Sequence, residues 1–406
     1  MFKIKLHWQI LIGLFLGVLY GMFFTSYIGY VSWLGELFLR ALKMIIVPLI
    51  LTSIASGIAN IGGAQNLGRL GAKTFTYYIT TSLFAIITGL FLVNLIKPGV
   101  GADLGFSHSV EGMNTVGGLD NILLRMVPTN IFDAFASGEM LAIIFFAILI
   151  GYFVTKIDDN YKNPIINLIN GGFEVMMKLT GFIIKLTPIG VFGIVAGIVA
   201  KEASDSAALL NLVHRLGLYM SAVIAGLLIH AFITLPLFLK IIGKVNPWLH
   251  IKAMSAALLT AFSTASSMST LPLTLEAVEH KSGVSNKITS FVLPLGATVN
   301  MDGTALYECV AAMFIAQAYG IDLSFLQQGL VVITALLASI GAAGIPMAGF
   351  VMISVILSSV GLPLEGVGLI LAIDNILDMC RTTVNVWSDS CGAVIIAKSE
   401  GEVLNV

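Results

Sequence analysis

Asp374, Asp378, Arg381, Asn385 and Asp389 recur along the last strongly apolar segment at spacings of four, three, four and four residues. At about 100° per residue all five share a narrow arc of one helix face, with Thr382 at its edge. Their neighbours, from Gly366 to Ile373 and from Gly392 to Ala397, are almost wholly apolar and read as membrane span. An ionisable group at that depth costs at least ~2.5 kcal/mol by insertion scales, so it faces a protein interior, pairs with another charge or binds something. The charges here alternate in sign, which suits a ligand that carries both. The same spacing also permits an internal Asp378–Arg381 pair, because i,i+3 partners neutralise each other on a helix.

A second polar run, Gly296-Ala297-Thr298-Val299-Asn300-Met301-Asp302-Gly303-Thr304, interrupts another apolar span. Asn, Asp, Thr and carbonyls freed beside glycine are hard oxygen ligands for alkali and alkaline-earth cations. A buried carboxylate with no nearby Arg or Lys needs a cation, and Na⁺ satisfies it. The alternative is a kink whose polar groups bond neighbouring helices.

The elements that carry these runs are membrane helices. The 406 residues are 57% hydrophobic and 11% charged, with a net charge of −1, which is too apolar for a soluble domain and excludes a nucleic-acid surface. Cys309, Cys380 and Cys391 lie in apolar helices without metal-ligand spacing and read as packing residues. Spans are expected at about 8–27, 32–61, 71–97, 122–155, 163–200, 210–243, 288–318 and 366–398, several of them longer than the roughly 20 residues a bilayer needs and so tilted or broken, with an extramembrane loop from about Gly99 to Asp120. Lys3 and Lys5 precede a retained first span and favour a cytoplasmic N-terminus.

Two stretches depart from simple crossing helices, Thr260 to Pro272 and Ser339 to Gly349. Each places small residues and a proline inside a hairpin-sized apolar segment, where a continuous helix is weakened. Non-helical backbone at membrane depth survives only inside protein or along a water-lined cavity, so both read as re-entrant tips. Each tip precedes a polar-bearing span. Interrupted segments in corresponding positions of two halves point to a transporter with its site between them.

The strings NMDGTALYE (Asn300 to Glu308), GAAGIPMAG (Gly341 to Gly349) and DMCRTTVNVWSD (Asp378 to Asp389) resemble signatures of the glutamate transporter family, the dicarboxylate/amino acid:cation symporters. The resemblance extends to LKMIIVPLI (Leu42 to Ile50) and VPTNIF (Val127 to Phe132), and so covers nearly the whole chain. It implies an all-α polytopic membrane protein with eight transmembrane helices, two re-entrant helical hairpins and inverted repeats. The family works as a homotrimer in which a moving core rides against a fixed scaffold like an elevator. On that correspondence residues 1–65 and 101–200 are scaffold, 66–100 and 201–406 are transport core, and the hairpins span about 252–282 and 325–361.

By the same resemblance Arg381 pairs with the side-chain carboxylate of an acidic substrate, a task for its planar fork. Asp378 receives the substrate amino group; Ser267, Thr304, Thr382 and Asn385 surround the ligand, and the backbones of Ile345 and Gly349 cover it. One family Na⁺ site corresponds to Gly296, Asn300, Asn385 and Asp389. A second corresponds to Tyr78, Thr81, Ser82, Asn300 and Asp302, and a third to Thr298, Met301, Ser339, Ile340 and Ala342. Glu308 resembles the glutamate of animal excitatory amino acid transporters that carries a proton, where archaeal aspartate transporters have glutamine. Burial would let it bind a proton near neutral pH.

Ala265 and Met379 stand where the family keeps a second arginine, and Met268 interrupts the serine run of the first tip. These departures bear on K⁺ countertransport and on the shape of the first hairpin. The expected function is sodium-coupled symport of glutamate or aspartate across a cell inner membrane, with H⁺ and K⁺ as further coupling ions and no cofactor. A carrier of C4-dicarboxylates or neutral amino acids, and an ion channel, are the alternatives. An intramembrane hydrolase built on Ser266, Ser267 and Asp302 would lack a histidine base within these motifs.

Overall fold

The computed structural model describes residues 6–62, 68–102, 124, 126–202, 206–341, 348–364 and 366–406. Among them every regular element is helical, as a chain that must satisfy its amides within lipid requires. The first three spans form α1 (Leu6–Phe23), α2 (Gly29–Gly62) and α3 (Gly68–Ile96). The expected span at 122–155 is divided into α4 (Ile131–Ser137) and α5 (Met140–Val154), parted where Gly138 takes φ 73°. The expected span at 163–200 is two helices, α6 (Asp159–Ile184) and α7 (Thr187–Glu202), bent by 52°. Pro188 explains the break, because its ring would clash with the carbonyl of Ile184 in a continuous helix.

Helix α8 (Ser206–Ile229) runs on through a π turn at His230–Thr234, a helical stretch Leu235–Phe238 and a second π turn at Leu239–Gly243. Pro236 offers no amide to the carbonyl four residues earlier, and the widened turns flank that gap. The first hairpin is α9 (Pro247–Thr264) and α10 (Ser267–Glu276). Its bend is tighter than expected: Ala265 takes φ 47°, and the Ser266 hydroxyl accepts the Ser269 amide at 3.2 Å. Pro272 lies inside α10 and not at the tip. The expected span at 288–318 is interrupted into α11 (Asn286–Val299) and α12 (Asp302–Ala318). The second hairpin is α13 (Phe325–Gly341) and α14 (Ala348–Val360), and α15 (Val367–Ser399) closes the chain. By length and apolarity three described helices can cross a membrane alone, or four if the bent α6–α7 pair is one span.

Helices α12 and α15 are the axis of the molecule. Every α12 residue except Gln317 is buried, against α3, α8, α13, α14 and α15. Helix α15 in turn meets α3, α8, α9, α10 and α11. Around α2 a second group forms from α5, α6 and α7, with α1 laid on α7. Gly13, Gly17 and Gly21 make the α1–α7 approach possible: a Cβ on Gly17 would stand 2.9 Å from the Phe192 carbonyl oxygen, and one on Gly21 2.8 Å from that of Ala196. Small residues at this spacing replace hydrophobic drive between membrane helices. Gly17→Val is expected to cost about 1–3 kcal/mol through overpacking, measured as a lower melting temperature in detergent; an unchanged transition would refute the close approach.

At one end, Arg69 and Lys73 pair with Glu400, the lysine at 2.6 Å, and hold that exposed carboxyl below its usual range. The Ser285 amide donates to Glu402 at 2.9 Å and the Asn405 amide to the Ser282 carbonyl at 3.0 Å. These bonds gather the start of α3, the start of α11 and the end of α15 at the same end of the molecule.

Candidate functional site

The interruption between α11 and α12 faces the charged side of α15. Asn300 (φ −95°, ψ 87°) and Met301 (φ −113°, ψ 54°) leave the helix, and α12 restarts with Asp302. Glycine at 303 is what lets the restart touch α15, since a Cβ there would lie 2.6 Å from the Arg381 carbonyl oxygen. The freed Gly303 amide, an orphan donor of a helix N-terminus, is taken by Asn385 Oδ1 at 2.7 Å. Asn385 Nδ2 donates to Thr304 Oγ1 at 3.1 Å. Three of the expected ligand-site residues, Thr304, Asn385 and Arg381, thus meet at this seam.

Arg381 is 1% exposed. Its Nε donates to Asp378 at 2.9 Å and its Nη1 to Asp374 at 3.0 Å, while the guanidinium lies 4.3 Å from the centre of the Tyr307 ring. The internal Asp378–Arg381 pair permitted by the spacing is therefore formed, and Asp374 completes a carboxylate–guanidinium–carboxylate bridge on an aromatic face. Asp374 Oδ2 stays buried with no hydrogen-bond partner among the described residues. Gly349, the first described glycine beyond the second tip, comes so near that a Cβ on it would be 2.5 Å from Arg381 Nη1. Thr382 is buried beside Arg381.

Asp302 is wholly buried. Its Oδ1 accepts from Ser82 at 2.6 Å and Thr81 at 3.3 Å; its Oδ2 accepts from Ser388 at 2.6 Å and lies 3.0 Å from His230 Nε2. Asn300 links this cluster to the next carboxylate, with Nδ2 donating to Ser388 Oγ at 3.0 Å and Asp389 Oδ1 at 2.9 Å. Gly296 packs on Asp389 and Tyr78, where a Cβ would be 2.5 Å from the carboxylate oxygen and 2.8 Å from the phenol oxygen. The Tyr78 hydroxyl itself donates to the Val292 carbonyl at 2.6 Å. Asn300 thus joins the Asp302 cluster to Asp389 in one oxygen-rich network whose hard donors fit Na⁺, whereas Asn385, expected beside Asp389, bonds instead to Gly303 and Thr304.

The remaining expected residues are less tightly drawn in. The hydroxyls of Thr298 and Ser339 bond within their own helices, to Leu295 and Leu336 carbonyls, both at 2.9 Å, although α11 and α13 touch. Met301 Sδ accepts from Asn385 at 3.3 Å. Ile340 is partly buried against the hydrophobic cluster that α3, α9, α11 and α15 share, and Ala342 and Ile345 lie outside the described residues. Ser267 opens α10 half-buried and makes no hydrogen bond with Asp378 or Arg381. Glu308 is wholly buried on α12, and neither of its carboxyl oxygens has a partner among the described residues.

Sequence reasoning placed Asp374 on the charged face without giving it Arg381, and passed over Ser388, Tyr307 and His230. Ser388 and Tyr307 sit inside the quoted motifs and could have been weighed there. His230 lies 72 positions from Asp302, in an apolar helix, with no local signal.

The sodium:dicarboxylate symporter family model matches residues 6–399. This chain belongs to that family. It is 37% identical to the proton/glutamate-aspartate symporter of Escherichia coli (strain K12), covering 98% of this chain and 93% of that protein. It is equally 37% identical to the proton/sodium-glutamate symport protein of Bacillus caldotenax, over 98% of this chain and 96% of the relative. An excitatory amino acid transporter of Caenorhabditis elegans is also 37% identical, over 91% and 81% of the two chains. Membership makes the symporter a multi-pass membrane protein and accounts for charges seated among its apolar helices.

Proposed function

We propose that this symporter moves glutamate or aspartate together with Na⁺. The observation that carries the reading is the buried Arg381, bridged between Asp374 and Asp378 and roofed by Gly349. A carboxylate ligand would take the guanidinium over from an internal carboxylate, and Asp378 so released would meet the ligand's ammonium group. Thr304, Thr382, Asn385 and Ser267, with the backbones of Ile345 and Gly349, would complete the substrate site. Na⁺ would be held by Gly296, Asn300, Asn385 and Asp389, by Tyr78, Thr81, Ser82, Asn300 and Asp302, and by Thr298, Met301, Ser339, Ile340 and Ala342. The names of the bacterial relatives support the substrate class, and the name of the Bacillus relative supports sodium.

The elevator division, with scaffold at 1–65 and 101–200 and core at 66–100 and 201–406, is supported by packing. Hairpin α13–α14 rests on α2, and α14 also on α5, whereas the principal partners of hairpin α9–α10 are α15 and α11. That asymmetry matches a core displaced towards the side on which the first hairpin opens. The basic end that gathers Arg69, Lys73 and Lys398 supports a cytoplasmic N-terminus in a cell inner membrane. Homotrimer formation rests on the family resemblance.

The test is radiolabelled glutamate and aspartate uptake into proteoliposomes, with Na⁺, H⁺ and K⁺ gradients imposed one at a time. Saturable uptake driven by inward Na⁺ is expected. Each Na⁺ entering yields about 2.3 kcal/mol per 100 mV before its own gradient is added. A second reading, coupling by protons alone, is favoured by Asp302 already having four partners; uptake indifferent to Na⁺ would select it.

In either case Glu308 is assigned the coupled proton. A buried carboxyl with no partner is tolerable only as the neutral acid, so wild-type uptake should fall as pH rises and the proton becomes scarce. In Glu308→Gln, which mimics the protonated form, the pH profile should flatten. A profile as steep as that of the wild type would remove Glu308 from the coupling step.

A further inference from the structure

The outer face of the junction between α8 and the first hairpin carries an open groove of about 740 Å³ that the transport site does not use. Its lining is mainly apolar and includes Phe232, Leu237 and Ile251, and where α8 ends and α9 begins it also includes Lys240, Lys244 and Trp248. A narrower apolar cavity of about 200 Å³, lined by Leu228, Leu258 and Phe262, continues it along α8 and α9 and shares Phe232, Ile251 and Trp387 with it. The whole is an apolar trough closed at one end by cations.

That end lies at a membrane boundary. Gly243, next to Lys244, packs against Ile395 near the close of α15, the end that also holds Lys73, Arg69 and Lys398. The nearby acids are engaged elsewhere: Glu400 with Arg69 and Lys73, and Glu402 with Ser285. Lys240 and Lys244 have no ion-pair partner among the described residues. Lys244 is moreover held at φ 51°, a conformation that side-chain-bearing residues avoid. Trp248, 74% exposed, has the amphipathic ring that settles at the headgroup level.

We propose that this trough is a binding site for one anionic glycerophospholipid, its phosphate held by Lys240 and Lys244 and an acyl chain laid along Phe232, Leu237 and Ile251. Charge complementarity selects the headgroup, because two unpaired ammonium groups at the boundary attract a lipid of net negative charge more strongly than a zwitterionic one whose phosphate is already offset by its own cation. The apolar walls select a lipid over a free anion. The site lies between the first hairpin and the helix that carries His230, so its occupant would bear on how that hairpin leaves α8. The inference does not depend on which substrate the symporter carries.

The test uses the full-length protein in phosphatidylcholine vesicles doped with either acyl-brominated phosphatidylglycerol or acyl-brominated phosphatidylcholine. Bromine quenching of Trp248 is isolated by subtracting the signal of Trp248→Phe. Phosphatidylglycerol is expected to quench at a mole fraction roughly ten-fold lower, equivalent to about 1.4 kcal/mol. That preference should vanish in Lys240→Gln/Lys244→Gln and survive in Lys252→Gln, an exposed lysine of α9 outside the groove. Equal quenching by the two lipids would overturn the proposal in favour of ordinary annular contact. A preference that persists in the double variant, or is lost equally in Lys252→Gln, would overturn it in favour of a general surface potential.

Discussion

Arg381→Cys is expected to lower glutamate and aspartate uptake at least ~100-fold, equivalent to about 2.7 kcal/mol, with small neutral amino acids as the substrates it could still admit. The size follows from geometry. The guanidinium is 1% exposed, makes two charge-assisted hydrogen bonds and stacks on Tyr307, so neither a thiol nor a water in its place restores the charge that an acidic ligand would meet. Removal also leaves Asp374 and Asp378 facing each other in low dielectric, which further opposes entry of an anionic ligand. Arg381→Lys separates charge from shape: it keeps the cation and loses the planar fork, and should remain severely impaired. The measurement is competition uptake of glutamate, aspartate, alanine and serine by the variants in proteoliposomes. Wild-type rates for the acidic pair in Arg381→Cys would refute the assigned role.

Asp302→Ala should both stop transport and destabilise the protein, by about 3–5 kcal/mol, the usual cost of breaking a buried charged network. Thr81, Ser82, Ser388 and His230 all converge on this carboxylate, from α3, α15 and the first π turn of α8. Alanine leaves them without an acceptor, and each buried unsatisfied group carries its own desolvation penalty. Asp302→Asn retains one carbonyl oxygen and the volume. It should fold, while its cation dependence shifts because the formal charge is lost. Melting in detergent together with uptake against Na⁺ concentration distinguishes the two effects. An Asp302→Ala protein as stable as the wild type would mean that the network is not a structural anchor.

Much of the site was legible because periodicity is a local property. Spacings of four, three, four and four residues put the charged arc of α15 on one face before any neighbour is known. The run from Gly296 to Thr304 stood out as polar inside an apolar span, with a kink as the alternative reading, and the helix does break within it, at Asn300 and Met301. The two hairpin segments were likewise visible as small-residue and proline interruptions, although Pro272 proved to be helical and Ala265 the bend. Excess length showed that the longest spans must tilt or break, but not where. Residues 163–200 are apolar enough for one helix, yet a single proline at 188 bends the path by 52°.

The sequence by itself determined that this is a helical membrane protein with a mixed-charge face and an interrupted span rich in hard oxygen ligands. Those features depend on side-chain chemistry and on a repeat of a few residues. Only the tertiary structure decided the partners: that Arg381 is held by Asp374 as well as Asp378, that Asn385 takes the Gly303 amide, and that His230 and Ser388 share Asp302. Except for the two bonds of Arg381, which lie within α15, these pairs stand 72 to 86 positions apart in sequence and on separate helices. Their meeting depends on how closely α12 approaches α15, and glycine at 303 permits that approach by the absence of one carbon atom.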